Sequence, residues 1–339
     1  MTYQLKPTVL QILNLPNKKG GIQAVAKVLT ETFSREGIGC VSSSMKLTSI
    51  FMQIIFRRRM LANIVVIHGM SNLVTFRALI YLLFRRLTWC KPSRTIWQVH
   101  FHPFRHHRLP LISKLYFYSI NYALAYISDI VVAITPDEKK HLEKVVKSSK
   151  IRIIPNPLRS FTDVMNIAGD ISPKAGSKLD PYVLTIGRND HNKNLAAVYA
   201  LRNLIKAAGY KIKIVTNNKD KIHPDCEVYL NCTDHELNNL ITNADCVIIP
   251  AKYEAFSLVA IESIARGTPI ISGPNVGALS YDCVRKGAVV TDFTETSFSN
   301  ALKEIKFLKC NLTELSCEVR ASFSEKKYCD IWFELIKCA

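Results

Sequence analysis

The sequence predicts an α/β protein made of two halves, each a parallel sheet with helices on both faces. Three observations predict it. Short apolar, β-branched runs alternate with helix-like runs almost from end to end, the pattern of parallel strands joined by crossover helices. The alternation occurs twice, on either side of a break near "IPNPLRSFTDVMNIAGDISPKAGSKLDP" (154–181), whose Asn-Pro and Gly/Ser/Pro/Asp scatter read as a linker. The chain has 339 residues, more than one hydrophobic core commonly serves.

In the first half "TVLQILNL", "NIVVIHG", "RTIWQVH" and "DIVVAIT" read as buried strands. Between them "GIQAVAKVLTETFSREG", "LVTFRALIYLLFRRL" and "PLISKLYFYSINYALAYIS" carry helical spacing. Thr135-Pro136-Asp137-Glu138 is a helix start, with Thr as N-cap, Pro at the first helical position and Glu reaching back. The second half offers "PYVLTIG", "KIKIVTN", "CEVYLN", "DCVIIP" and "TPIIS" as strands, with a capping box at Thr233 and Glu236. Residues 111–134 are long and apolar, but Ser128-Asp129 divides them into a helix and a strand, as in a buried α/β core and unlike a membrane span. The expected division is a first domain over 1–157, a second over 158–321 and a last helix over 322–339.

Net charge is +18, and nearly all of it lies in the first half. Residues 1–157 hold 23 Lys+Arg against 6 Asp+Glu, whereas 158–339 hold 22 against 21. From Gly37 to Ser128 there is no acidic residue, but twelve Lys/Arg and five His. Such asymmetry points to an anionic partner for the first half: a membrane surface, a phosphate-bearing substrate or nucleic acid. A solvated basic face is the alternative. The runs "IFMQIIFRRRML" (50–61) and "FRALIYLLFRRLTW" (76–89) set large apolar residues beside arginine clusters. They suit helices lying in a membrane interface, or core helices with basic outer faces. Ten scattered cysteines without a C-x-x-C pair, and no leader-like start, lead us to expect a reduced, cytoplasmic protein without a zinc site.

Two stretches carry chemistry. In "PAKYEAFSLVAIESIARGTPIISG" (250–273), Glu254 and Glu262 stand in an apolar run, where a carboxylate is costly without a partner. A helix beginning near Phe256 and ending at Gly267 places Glu254 in the loop after a strand and Glu262 about two turns into the helix. Two exposed glutamates on a surface helix are the plain alternative. In a parallel sheet, however, the loop between strand and helix is where ligands bind. In "VLTIGRNDHNKNLAAV" (183–198), Arg188 and Lys193 follow a strand ending in Gly187. Two cations there read as a clamp on a diphosphate.

With these stretches the chain resembles the glycosyltransferase family 4 group, of GT-B architecture: two facing Rossmann-like domains with a cleft between them. "GRNDHNKN" resembles the family's G-R…K-N loop, and "TDHELNNLITNADCVIIPAKYEAFSLVAIESIARGTPIISGPNVGAL" its E-x7-E block and following turn. "NKKGGIQAVAKVLTETFSREG" resembles its glycine-pair loop and first helix, and "FSEKKYCDIWFELIK" its C-terminal helix crossing back to the first domain. The resemblance implies that Arg188 and Lys193 bind the donor diphosphate and stabilise the departing charge. It gives Glu262 the ribose hydroxyls and Glu254 the donor sugar near the reacting carbon. Backbone N–H groups of Phe256, Ser257 and Leu258 meet phosphate, and Gly20-Gly21 let their loop approach it. His100 sits by the donor sugar, with His102 its rival and His68 ending a neighbouring strand. The family usually has glycine where this chain has Ala255 and Ser257, and the match near Tyr281-Asp282 is loose.

The implied activity is metal-independent, cofactor-free transfer of a sugar, with retained configuration, from a nucleotide-sugar donor to a glycan acceptor. Such enzymes build bacterial surface polysaccharide, O-antigen included. A lipid-linked acceptor at the cytoplasmic membrane face suits the basic first domain, making the protein peripheral on an anionic membrane surface. An inverting transferase or sugar-nucleotide epimerase of the same fold is the alternative. A nucleic-acid-binding protein is the alternative of another class; no recognition helix or aromatic-rich binding sheet supports it, and no nucleic acid is expected.

Overall fold

A computed structural model describes residues 8–13, 21–43, 62–69, 72–87, 92–100, 111–159, 180–218, 222–309 and 312–337. The chain divides into two compact units, Met1–Pro157 with Glu325–Ala339, and Leu158–Ser324. Both are α/β, as the alternation of runs predicts. The 154–181 break contains the passage from one unit to the other, and residues 160–179 of it lie outside the described residues, as do Gly20, His102 and the 50–61 run.

The first unit holds β1 (Thr8–Ile12), α1 (Gly21–Arg35), β2 (Gly39–Ser43), β3 (Ile64–His68), α2 (Asn72–Leu87), β4 (Arg94–Gln98), α3 (Leu111–Ile127), β5 (Ile130–Ala133), α4 (Pro136–Leu142) and β6 (Ile151–Ile153). Its sheet runs β2-β1-β3-β4-β5-β6, every pair parallel. Side chains alternate across it with the period of two that a strand imposes. Leu10, Ile12, Val65, Ile67 and Trp97 pack with Val74, Ala78, Tyr81 and Leu124 of α2 and α3. Val9, Ile64, Val66, Ile96 and Val132 pack on the opposite face with Leu29 and Phe33 of α1. The C-terminal helix (Glu325–Lys337) covers that same face with Tyr328, Trp332 and Ile336. Its start at Glu325 is three residues later than the sequence expectation of 322. Thr135 caps α4 through its side chain, accepting from Glu138 N, while Glu138 reaches past the cap to accept from Ile134 N at 2.5 Å.

The arginine cluster of α2 is divided. Arg85 is turned inward, where Nη1 donates to Ala62 O at 2.7 Å and to the Tyr81 hydroxyl at 3.3 Å, while Leu83 and Leu87 are exposed. Helix α3 buries Ile120, Leu124, Ala125 and Ile127 and exposes Leu111, Leu115, Tyr118, Tyr122 and Tyr126 along one side. Among the described residues no helix is long and apolar enough to cross a membrane.

The second unit holds β7 (Tyr182–Ile186), α5 (Leu195–Ala200), α6 (Arg202–Ala207), β8 (Lys211–Thr216), β9 (Glu227–Leu230), α7 (Asp234–Thr242), β10 (Cys246–Ile249), α8 (Leu258–Ile264), β11 (Ile270–Ser272), α9 (Asp282–Arg285), β12 (Ala288–Val290), α10 (Glu295–Lys309) and α11 (Leu312–Ser322). The sheet runs β12-β11-β10-β7-β8-β9, again all parallel. From β7 the chain adds strands outward to β9, then returns to the other side of β7 with β10. The order therefore reverses between β7 and β10, and ligands of open α/β sheets bind beyond the strand ends at such a reversal.

Trp332 is fully buried against the first unit's sheet, so Trp332→Ala should cost about 3–5 kcal/mol of stability. Urea unfolding measures this; a loss below ~1 kcal/mol would show that the C-terminal helix is not seated on that core.

Candidate functional site

Strands β7 and β10 are hydrogen-bonded neighbours, with Val183 opposite Cys246 and Thr185 opposite Ile248. The loops that follow them, 187–194 and 250–257, consequently leave the same edge of the sheet side by side. They are stitched together. Asn192 Nδ2 donates to Tyr253 O at 2.9 Å, Asn194 Nδ2 to Pro250 O at 3.1 Å and Lys252 N to Asn192 O at 2.9 Å. Within the first loop Asp190 Oδ1 accepts from Asn192 N and Lys193 N at 3.1 and 2.9 Å. Asn194 turns into α5 with a φ of 54°, a conformation asparagine tolerates better than most residues.

This scaffold brings Lys193 to Glu254. Lys193 Nζ lies 2.5 Å from Glu254 Oε1, and their side chains are 23% and 11% exposed. The lysine stem crosses Gly187, where an added Cβ would stand 3.3 Å from Lys193 Cδ; the glycine lets the stem lie flat on the strand end. Arg188 is 72% exposed and pairs with Asp190 at 3.2 Å. Glu254 is fixed through its backbone as well: its N–H donates to Asn275 O at 2.9 Å and its carbonyl accepts from Gly277 N at 3.0 Å.

Helix α8 begins at Leu258, two residues later than the spacing suggested. Phe256 is buried, edge-on to Tyr281 and Phe323. Ser257 stands before the helix with φ 87°, a backbone state that favours glycine and costs other residues on the order of 1–3 kcal/mol. Its buried hydroxyl has no partner among the described residues. At Ala255 φ is not positive, so alanine fits the loop there.

Glu262, in the second turn of α8, has no exposed surface. Both of its oxygens are held by Arg159, Nε to Oε1 at 2.6 Å and Nη2 to Oε2 at 2.8 Å. Burial works against the Arg159 charge, but the hydrogen bonds and negative charge of Glu262 outweigh it and hold the guanidinium pKa above its ordinary value. The carbonyls at the end of α8 are also served by side chains. Arg266 Nη1 donates to Glu262 O at 2.6 Å, and Arg320 Nε and Ser316 Oγ to Ala265 O at 2.7 Å each. Cations belong at this negative end of a helix dipole. Burial nonetheless pulls Arg266 down to about 10. Arg159 was invisible as a site residue in the sequence, where it reads as one more basic residue of a linker.

The first unit has a polar cluster of its own. On the α1 side of the sheet Gln11 of β1 stands level with Val66 of β3, and one rung further His68 of β3 and Gln98 of β4 stand opposite each other; all three polar residues are buried. Gln11 Nε2 donates to Ala26 O and Thr30 Oγ1 at 3.1 and 2.9 Å, leaving its Oε1 for His68 Nε2 at 2.7 Å. His68 therefore carries its proton on Nε2. His100, with φ 53°, stacks on His68 with ring centroids 6.1 Å apart. Gln98 lies beside His68 and Tyr328 but closes no well-formed hydrogen bond with either. Burial lowers His68 to about 4 and His100 to about 3, the latter helped by His68. Gly21 opens α1. Among the described residues no three His, Cys, Asp or Glu side chains group closely enough to hold a metal ion.

Residues 170–328 match the family described as glycosyl transferases group 1, and they cover most of the second unit. The match takes in a little under half of the chain. An uncharacterised glycosyltransferase of Methanocaldococcus jannaschii is 23% identical to this chain over 184 residues, 48% of this chain and 46% of that protein. The match thus spans less than half of that relative's length. Among solved structures, sucrose-phosphate synthase from Thermosynechococcus elongatus superposes with a TM-score of 0.74 at 15% identity, covering 99% of this chain and 100% of that one. Anabaena HepE in complex with UDP-glucose gives a TM-score of 0.70 at 10% identity over 98% and 100%. The fold of this chain is that of these neighbours, an α/β two-domain GT-B fold.

The two buried histidines set a pH dependence. Their folded pKa values lie below the unfolded 6.5, so between about pH 4 and 6.5 the unfolded chain binds protons that the native one refuses. Stability must then fall as pH drops through that window, by about 3–4 kcal/mol for the pair between pH 7 and pH 5. Urea unfolding at the two pH values should show the loss, and a His68→Gln/His100→Gln variant should lose much less; equal pH slopes for both proteins would refute the assignment.

Proposed function

We propose that this chain is a glycosyltransferase that moves a sugar, with retained configuration, from a nucleotide-sugar donor to a glycan acceptor. The observation that carries the reading is the meeting of Lys193 and Glu254 at the strand-order reversal between β7 and β10, with exposed Arg188 on the same loop as Lys193. A cation pair and a carboxylate there match two demands of such a donor, its diphosphate and its sugar. Lys193 and Arg188 take the diphosphate and hold the negative charge that grows on it as the glycosidic bond breaks. Glu254, fixed through both its backbone groups, meets the sugar hydroxyls. The turn of Phe256, Ser257 and Leu258 into α8 offers backbone N–H groups to phosphate, and Glu262 is the acceptor for the ribose hydroxyls. A neighbour of the same fold binds UDP-glucose, which supports the donor class.

The acceptor is proposed to be lipid-linked, at the cytoplasmic face of a membrane. Support comes from the first half of the chain, with its acid-free span of 37–128. The exposed side of α3 adds to it, setting Leu111 and Leu115 in line with Tyr118, Tyr122 and Tyr126. Tyrosine and aliphatic residues together suit a lipid interface. In this reading surface polysaccharide, O-antigen included, is the product class.

Because Arg188 is 72% exposed, Arg188→Ala should leave the fold intact. Loss of one preorganised charge on the leaving group should lower kcat by about 10²–10³, with the circular dichroism spectrum unchanged. NMR of the product should show the donor's anomeric configuration. Full activity in the variant, or an inverted product, would sink the reading.

A further inference from the structure

Glu262 cannot receive a nucleoside as it stands. It has no exposed surface, and Arg159, itself 35% exposed, lies over it with both oxygens engaged. The engagement has a particular form. Nε–H and Nη2–H of a guanidinium point side by side from one edge and meet the two oxygens of a carboxylate together. The vicinal 2′- and 3′-hydroxyls of a ribose offer the same pattern, two adjacent donors to one carboxylate. The third nitrogen, Nη1, faces Asp234, which is 78% exposed and 4.0 Å away. A second carboxylate thus stands ready, on the solvent side, for a guanidinium that leaves Glu262.

We infer that Arg159 is an internal stand-in for the ribose diol, seated on Glu262 until a nucleotide exchanges with it. The inference rests on the donor reading above. It assigns Arg159 a role in specificity: a ligand without the diol cannot replace what Arg159 gives Glu262, and so cannot open the seat. Burying Glu262 with no partner would be strongly destabilising; the stand-in keeps the ligand-free domain folded while a ribose carboxylate stays charged and aimed. The cost of the arrangement falls on affinity, since every ribonucleotide must displace an ion pair.

The test compares the wild type with Arg159→Ala and Arg159→Lys by calorimetric titration with UDP, GDP and ADP and their 2′,3′-dideoxy counterparts. Lysine retains the charge and the fold but not the paired donors, so it covers the case of an unstable alanine variant. The ribonucleotide that binds the wild type should bind the alanine variant at least tenfold more tightly and the lysine variant by a smaller factor. Its dideoxy counterpart should bind all three proteins alike. Ribonucleotide affinity that is unchanged or falls in both variants would overturn the inference while leaving the donor reading in place, with Arg159 a fixed support of Glu262. Absence of binding by every folded protein to all three ribonucleotides would overturn the donor reading together with it.

Discussion

Everything at the candidate site depends on one feature of the second sheet, the parallel pairing of β7 with β10. Because the strands are parallel, their following loops leave one edge together; because the strand order reverses there, no third connection fills the space between them. Register does the rest. With Thr185 opposite Ile248, the loop after β7 arrives at the height of the loop after β10. Asn192 and Asn194 can then bind its carbonyls, and Lys193 can reach Glu254. A slip of this pair would carry the lysine away from its carboxylate and turn the strand faces over as well.

The second constraint is the cost of charge in an apolar stretch. Glu254 and Glu262 occupy a run that builds a core, and each is supplied with its own cation from a distant part of the chain, Lys193 and Arg159. The two pairs differ. Glu254 retains some exposure and one donor, so it can accept further hydrogen bonds. Glu262 is sealed and doubly held. Glu254 is thus partly accessible and Glu262 enclosed, and Arg159 lies only two residues beyond the boundary between the units. In the first unit, by contrast, the inward polar residues Gln11 and His68 hold each other without ions, and the histidines are kept neutral.

How much of this was legible in the sequence follows from physical range. Long apolar runs announced β1, β3, β4, β5 and most of the second sheet, because burial on both faces leaves no room for polar residues. The strand "GCVSS" at 39–43 carries no such run; it forms because β1 offers it an edge. β6 and β12, of three residues each, are too short for any periodicity to show. Caps at Thr135 and Thr233 were readable because capping is local. Lys193 and Glu254 were readable only as members of two loops; their contact spans 61 residues and comes from sheet order. The Arg159–Glu262 pair spans 103 residues, and no local pattern marks an arginine that will be drawn inward. Ser257 shows the opposite limit: its positive φ is a demand of the loop that its residue type conceals.

In the proposed reading the strand-order reversal of the second unit holds the donor's diphosphate against Lys193. The most direct measurement is the ratio of affinities for a nucleoside diphosphate and its monophosphate, taken by calorimetric titration on the wild type and on Lys193→Met, with whichever of UDP, GDP and ADP binds best. A lysine on the outer phosphate predicts a marked preference for the diphosphate in the wild type and its loss in the variant, with monophosphate binding little changed. An undiminished preference in the variant would contradict the claim and place the diphosphate elsewhere.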